Sequence, residues 1–128
     1  MNYIIGAIGQ AEVVVDSSNM AKTMGSGSLE VFATPAMIAL MEKAATEAIK
    51  ESIPEDSSTV GTLINIKHLS ATPVGMKVTA RATLTEIDGK RLVFSLEAFD
   101  GKDKIGEGLH ERFVINIDKF MGRTNGKL

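Results

Sequence analysis

Residues 34–53, TPAMIALMEKAATEAIKESI, form the only segment of the chain with the pattern of a long helix. Thr34 is a suitable N-cap residue, Pro35 fits the first helical position, and Ile53-Pro54 marks the stop. At about 100° per residue, apolar side chains cover one broad face of this helix. They are Met37, Ile38, Leu40, Met41, Ala44, Ala45, Ala48 and Ile49. Such a face predicts that a sheet wraps around the helix.

The other regular segments have the composition of β-strands. Residues 11–15, AEVVV, predict a first strand ahead of the helix. Three or four extended segments follow the helix, with bounds 59–69, 77–87, 91–99 and 104–117. Two dipeptides, Asp88-Gly89 and Asp100-Gly101, are hairpin turns between the last three. The sequence therefore predicts an α+β fold in which a curled antiparallel sheet surrounds one long central helix, and 128 residues are enough for a single such domain, 1–128.

A long loop joins the first strand to the helix. It runs from Asp16 through Gly25-Ser26-Gly27-Ser28. Loops of this composition are flexible and can cover a ligand site, but most of them are only mobile connectors. Both interpretations stay open at this point.

Charge and composition exclude several classes of function. The chain carries 14 basic and 16 acidic residues, a formal net charge of −2, and these charges are scattered, so we expect no nucleic-acid partner. There is no cysteine, which excludes disulfides and a cysteine nucleophile and fits a reducing compartment. The initial MNYIIGAIG has no charged leader, and no stretch is long enough to span a membrane. We expect a soluble, cytoplasmic protein without a membrane partner.

Metal and nucleotide sites lack their usual motifs. The only histidines are His68 and His110, and no carboxylates stand at a characteristic zinc-ligand spacing from them. Neither GxxxxGK[ST] nor GxGxxG is found at a strand-to-helix junction. The prediction is a protein with no metal and no cofactor.

Glu42 lies at the rim of the apolar helix face, because its helical neighbours are Ile38, Ala45 and Ile49. A carboxylate in this position is partly desolvated, which would suit a general base or a nucleophile. A boundary glutamate that extends into water explains the same position.

His68 and Thr34 are the other candidate reactive side chains. Ile64, Ile66 and His68 alternate along one strand face, so the imidazole projects beside core residues, as either a proton shuttle or a hydrogen-bonded core histidine. Thr34 is most simply a helix cap. The start of a helix also collects unpaired backbone N–H groups, which can stabilise an oxyanion.

The last strand presents alternate residues on one face: Gly106, Gly108, His110, Arg112 and Asn116. The glycines could leave room for a ligand, and the guanidinium could meet a carboxylate or a phosphate. Edge-strand glycines with a surface arginine explain this pattern equally well.

Four segments of the chain, together with these candidate residues, resemble the fluoroacetyl-CoA thioesterase-like family of hot-dog proteins. The similarity extends from about Glu12 to Asp118. The matching motifs are ATPAMIALMEKAA at 33–45, VGTLINIKHLSATPVGMKV at 60–78, IDGKRLVFSLEAFDG at 87–101 and IGEGLHERFVI at 105–115. The resemblance implies the hot-dog fold, a homodimer and hydrolysis of an acyl-CoA thioester.

The same resemblance assigns the residues of the site. It implies that Thr34, Glu42 and His68 are catalytic and that Gly61 and Arg112 belong to the active site. Arg112 would steady the site or bind a CoA phosphate. The flexible side chains of Met37 and Met41, with Met20 and Met24, suit contact with an acyl chain, and core packing, the commoner role of methionine, explains them as well. The fluoroacetate-specific member carries lid phenylalanines, whereas this loop reads MAKTMGSGSLEVF, so the sequence does not support specificity for a fluorinated acyl group.

Two mechanisms and two rival functions remain open at the level of sequence. Glu42 could attack the thioester carbonyl and form a mixed anhydride, or it could deprotonate a water. The same fold could instead serve a non-catalytic acyl-CoA sensor, or a hydratase or isomerase acting at the acyl α or β carbon. Thr34 and Glu42 are eight residues apart, so on one regular helix they are separated by about 12 Å. A common cluster then needs either an irregular helix start that folds Thr34 back or a second copy of the chain. The resemblance, which implies dimers with sheets joined edge to edge, favours the second, so we expect each site to be assembled from two chains.

Overall fold

A computed structural model describes residues 2–128 of the protein. Within these residues the chain forms five strands and three helices. In chain order they are β1 (Ile8–Val14), α1 (Ala21–Met24), α2 (Thr34–Ile49), β2 (Ser57–His68), β3 (Lys77–Asp88), β4 (Arg91–Phe99), β5 (Lys104–Asn116) and α3 (Ile117–Asn125). In the part of the chain that the structure describes, no helix is both long and apolar enough to cross a membrane.

The strands form one antiparallel sheet in the order β1-β3-β4-β5-β2, and α2 packs across it, mainly against β1 and β3. The α2 side chains Met37, Met41, Ala44 and Ala45 are fully buried in the core. Gly9 allows β1 to approach α2 closely, because a β-carbon at Gly9 would overlap the helix backbone at Ala44 and Ala48. This arrangement confirms the predicted α+β hot-dog fold, in which the sheet curls around a central helix.

The bounds of several elements differ from the prediction. Helix α2 ends at Ile49 rather than Ile53, because the chain tightens into a turn in which the Ser52 N–H donates to the Ile49 carbonyl. The first strand is Ile8–Val14 rather than 11–15. The last strand stops at Asn116, whose side chain accepts from the Lys119 N–H and caps the unpredicted helix α3.

Strand β2 carries a bulge that the sequence pattern did not show. Its pairing with β5 joins Gly61 to Arg112 and Leu63 to Glu111, which leaves Thr62 as the extra residue. Side chains alternate along a strand, so Gly61 and His68, seven residues apart, would lie on opposite faces without the bulge. Because the bulge adds one residue to β2, Gly61 and His68 both face α2.

Candidate active site

Thr34 and His68 are in direct contact. The Thr34 Oγ1 atom lies 2.7 Å from Nδ1 of His68, a hydrogen-bond distance. Thr34 is therefore not the N-cap that its residue type predicted: Ala33 occupies that position, and the threonine hydroxyl interacts with β2 instead of with its own helix. The two side chains join the start of α2 to the end of β2.

The other ring nitrogen of His68 is buried, and Nε2 has no hydrogen-bond partner within residues 2–128. Burial lowers the pKa of His68 below its ordinary value of 6.5. The ring is therefore mainly neutral near pH 7, the form in which a histidine can accept a proton.

A cavity of about 580 Å³ opens beside this pair. Thr34 and His68 are part of its wall, and Ser26, Gly27 and Ser28 of the long loop form another part. The remaining wall is mainly apolar, with Leu29, Val31, Phe32 and Leu69. The Gly/Ser segment thus borders the cavity that contains two of the predicted catalytic residues.

Glu42 belongs to a second group of residues, farther along α2. Its Oε2 atom lies 3.3 Å from Nη1 of Arg112 and 3.9 Å from Nε2 of His110. Gly61 faces the same oxygen, and a β-carbon at that position would lie only 2.5 Å from it. The Glu42 side chain is 39% exposed, so this group is partly accessible to solvent.

Arg112 is held from several sides. Its Nε donates to the Thr59 hydroxyl at 2.9 Å, and its Nη2 donates to the Thr59 carbonyl at 3.0 Å. Burial lowers the pKa of Arg112, while Glu42 opposes that effect. Strand β5 lies between β4 and β2, and Arg112 is 7% exposed, so the interpretation as a surface arginine on an edge strand is wrong. These contacts suit an arginine that steadies a carboxylate.

The structure does not bring the three predicted catalytic residues together within one chain. Thr34 and Glu42 both lie on α2, eight residues and about 12 Å apart along its axis. Thr34 contacts His68, whereas Glu42 contacts Arg112. A single chain therefore presents two separate groups of candidate residues on the same face of the sheet, the Thr34–His68 group and the Glu42 group.

Met37 and Met41 lie in the core between the Thr34–His68 group and the Glu42 group, and both are fully buried. They fill the space beside Gly106, where a β-carbon would lie 2.6 Å from the Met37 sulfur. The room that the sequence predicted beside Gly106 is therefore occupied by methionine side chains, and the space beside Gly108 is occupied by Asn65 and Ile66 of β2. Neither methionine lines the large cavity within one protomer, and their contact with an acyl chain stays a prediction.

Two further members of the Glu42 group, Thr59 and His110, were not assigned to the site from the sequence. His110 and Arg112 alternate on β5, which was visible, but their common contact with Glu42 depends on how α2 crosses the sheet. Thr59 could be found only from the pairing of β2 with β5, where it lies near Arg112.

Comparisons with known proteins identify the family of the chain. The protein-family model of the fluoroacetyl-CoA-specific thioesterases matches residues 15–118. The fluoroacetyl-CoA thioesterase of Streptantibioticus cattleyicolor is 42% identical over 98 residues, which are 77% of this chain and 70% of that protein.

Solved structures of a fluoroacetyl-CoA thioesterase, FlK, superimpose closely on the chain. One has a TM-score of 0.93 at 33% identity and covers 100% of this chain and 99% of that one. A mutant of the same enzyme in complex with acetyl-CoA has a TM-score of 0.91 at 34% identity, with 97% of this chain and 98% of that one covered. From fold, family match and sequence identity, the chain belongs to the fluoroacetyl-CoA-specific thioesterase family and is a hot-dog-fold thioesterase.

Proposed function

We propose that the protein hydrolyses a short or medium acyl-CoA to the free acid and CoA, at sites that two protomers share. The observation that carries this proposal is the division of the reactive groups. Thr34 and His68 line a cavity of about 580 Å³, while Glu42 is held by Arg112 elsewhere on the same face. The first group has the imidazole and the cavity but no carboxylate, and the second has the carboxylate that the first lacks.

The chemistry follows from the groups present. Glu42 either attacks the thioester carbonyl, which expels the CoA thiolate and leaves a mixed anhydride for water to open, or takes a proton from a water that attacks the carbonyl. In the general-base route, His68 would pass the proton that Glu42 removes from water to the departing thiolate. In the anhydride route, the CoA thiolate leaves first and takes its proton from solvent, and neutral His68 would accept a proton from the water that opens the anhydride. Backbone N–H groups at the start of α2 or at Gly61 would stabilise the oxyanion, and the Thr34 hydroxyl orients His68 or the substrate.

Strand β2 offers a way to bring the Thr34–His68 group of one chain close to the Glu42 group of a second chain. It is an edge strand of 12 residues, and within residues 2–128 it pairs only with β5. Leu63 on this strand is 43% exposed, and a long edge of this kind invites pairing with a second chain. Two copies of β2 related by a two-fold axis would run antiparallel. In a register that places His68 opposite Gly61 of the second copy, the Thr34–His68 group of one chain would lie near the Glu42 group of the other. A closed dimer would carry two equivalent sites.

The acyl group is proposed from the cavity and the relatives. One relative is named for fluoroacetyl-CoA, and another was solved with acetyl-CoA, so a short acyl group is the first choice. The loop beside the cavity has one phenylalanine, Phe32, which is 1% exposed and fixed in the core. We therefore expect fluoroacetyl-CoA to be accepted without strong preference over acetyl-CoA.

The experiment is a thiol-release assay with acyl-CoAs of increasing chain length, including fluoroacetyl-CoA, in the presence and absence of EDTA. We expect turnover without added metal or nucleotide. Loss of activity in EDTA that zinc restores would contradict the metal-free proposal. Binding of acetyl-CoA without thiol release would indicate a sensor, and loss of the double-bond absorbance of an enoyl-CoA would indicate a hydratase.

A further inference from the structure

His110 is a buried imidazole for which the proposed reaction has no direct use. It is fully buried on β5, packed near Phe94 with ring centroids 6.0 Å apart. Its Nδ1 lies 2.8 Å from the Leu63 carbonyl oxygen, and its Nε2 lies 3.2 Å from Nη1 of Arg112. Both ring nitrogens therefore have a partner, one on β2 and one inside the Glu42 group.

The partners determine which nitrogen carries the proton. A carbonyl oxygen can only accept, so Nδ1 of His110 must donate to Leu63. A guanidinium can only donate, so Nε2 must accept from Nη1 of Arg112. This is the neutral tautomer with the proton on Nδ1, and burial, which lowers the pKa of His110, favours the neutral ring.

Nη1 of Arg112 carries two hydrogens. One points to Nε2 of His110 and the other to Oε2 of Glu42, at 3.3 Å. The other side of the guanidinium is held by Thr59. The rotation of the guanidinium is thus limited from both sides, and the hydrogen bond from Arg112 places the Glu42 carboxylate.

We propose that His110 is a positioning residue: it accepts a hydrogen bond from Arg112 and thereby directs the second Nη1 hydrogen of Arg112 to Glu42. The inference rests on the proposed role of Glu42 in thioester hydrolysis. His110 touches no reacting atom and acts through Arg112.

A purely structural role is the alternative, because the Leu63 carbonyl belongs to the bulge of β2. If His110 only held this bulge, its Nδ1 would be the nitrogen that matters. The two roles depend on different ring nitrogens, which makes them separable by substitution.

Two amides imitate the two nitrogens. In His110→Gln, the side-chain oxygen reaches the position of Nε2 and can accept from Arg112, while the bond to Leu63 is lost. In His110→Asn, the amide nitrogen takes the position of Nδ1 and can donate to Leu63, while the acceptor for Arg112 is lost. We expect His110→Gln to keep kcat within about threefold of the wild type and His110→Asn to lower kcat about tenfold, with KM unchanged in both.

A second readout does not depend on turnover. Rotation of the Arg112 guanidinium, measured by ¹⁵N NMR, should be slow in the wild type and in His110→Gln and faster in His110→Asn. Melting temperatures of both variants show whether the fold is kept.

The outcomes are distinct. The opposite order of kcat, with Asn active and Gln impaired, would overturn the proposal in favour of the bulge, and equal loss or equal retention in both variants would overturn it as well. If His110→Asn does not fold, the Gln variant decides alone: retained kcat supports the proposal and lost kcat overturns it. A wild type that releases no thiol would refute the proposed function, whereas the NMR result would still test the link from His110 to Arg112.

Discussion

The Thr34–His68 group and the Glu42 group differ in how many hydrogen bonds fix their side chains. At one end, Thr34 and His68 make a single hydrogen bond to each other beside a cavity of about 580 Å³, and Nε2 of His68 has no partner within residues 2–128. At the other end, Glu42 is one member of a network in which Arg112 donates to Thr59, His110 and Glu42. The cavity end is lightly constrained, and the carboxylate end is rigid.

This difference indicates how the work of the proposed reaction is divided. In the proposed reaction, the cavity end receives the substrate beside His68, whose imidazole is mainly neutral near pH 7 and whose buried Nε2 makes no hydrogen bond within residues 2–128. The rigid end holds a carboxylate in one orientation, which a base or nucleophile requires. Changes at the rigid end should therefore affect rate through orientation, and changes at the cavity end through proton transfer.

The largest effect is expected at the rigid end. Glu42→Gln keeps an oxygen for the Arg112 hydrogen bond but removes the base or nucleophile, so we expect kcat to fall about 1,000-fold with the fold intact. Thiol release at saturating acyl-CoA measures kcat, and circular dichroism shows whether the fold is intact. Glu47→Gln is the matched control, because Glu47 lies on the same helix, away from the Glu42 group, and forms an ion pair with Lys50. An activity above about a tenth of the wild type in Glu42→Gln would contradict the assignment.

His68→Ala tests the cavity end. We expect kcat to fall about 100-fold, because proton transfer is lost, while KM changes less than about threefold. Thr34→Val, which keeps the shape of the side chain and removes the hydroxyl, should lower kcat in the same direction but less. A loss of substrate affinity equal to the loss of rate would indicate instead that His68 is a structural core residue.

Mixed dimers test whether the two ends meet across an interface. Subunits with Glu42→Gln and subunits with His68→Ala are each nearly inactive, and equal mixing makes half of the dimers mixed, each with one intact site. Activity should return to about one quarter of the wild type. If the two residues act within one chain, the mixture stays inactive. A fully active monomer would exclude a shared site.

Gly61→Ala should disturb the rigid end without removing any reactive group. The added β-carbon would lie 2.5 Å from Oε2 of Glu42 and 3.2 Å from Cε1 of His110, so the carboxylate must move. We expect kcat to fall about tenfold with little change in KM. Gly101→Ala is the control, since its β-carbon would meet only Met76, at 3.7 Å. Equal activity of Gly61→Ala and Gly101→Ala would show that the carboxylate tolerates displacement.

The smallest effect concerns stability and pH. Burial lowers the pKa of both His68 and His110, so below pH 6.5 the unfolded chain binds protons that the folded chain does not. The stabilisation is complete above pH 6.5 and is lost as the pH falls toward the folded values. We expect the melting temperature to fall by about 3 °C between pH 7.5 and pH 5.5. The His68→Ala variant should show a smaller fall than the wild type. A wild-type melting temperature that stays constant or rises between pH 7.5 and pH 5.5 would contradict this prediction.

Much of the fold could be predicted from the pattern of residues. Arg91–Phe99 was predicted with the bounds that the structure shows, because alternating apolar residues between two Gly-containing turns leave few alternatives. Helix α2 was found for the same reason, from its apolar face. The prediction that Thr34 caps the helix was wrong. Threonine is common at helix ends because of local hydrogen bonds, but the hydroxyl of Thr34 bonds to His68, which is 34 residues away in sequence. Helix α3 was missed although Ile117, Phe120 and Met121 have helical spacing, because the helix has only nine residues and its first residue was assigned to the end of the last strand.

By itself, the sequence determined the α+β class, the central helix and the order of the strands along the chain. Through motif resemblance it also supplied the prediction, still to be tested, that Thr34, Glu42 and His68 are catalytic. These features depend on local periodicity and on short motifs, which can be read from neighbouring residues. Only the tertiary structure decided that the bulge at Thr62 turns Gly61 and His68 to the same face, and that Thr59 and His110 join Arg112 around Glu42. Those relations depend on strand register and on where α2 crosses the sheet, because a shift of one residue in a strand reverses the direction of every side chain that follows.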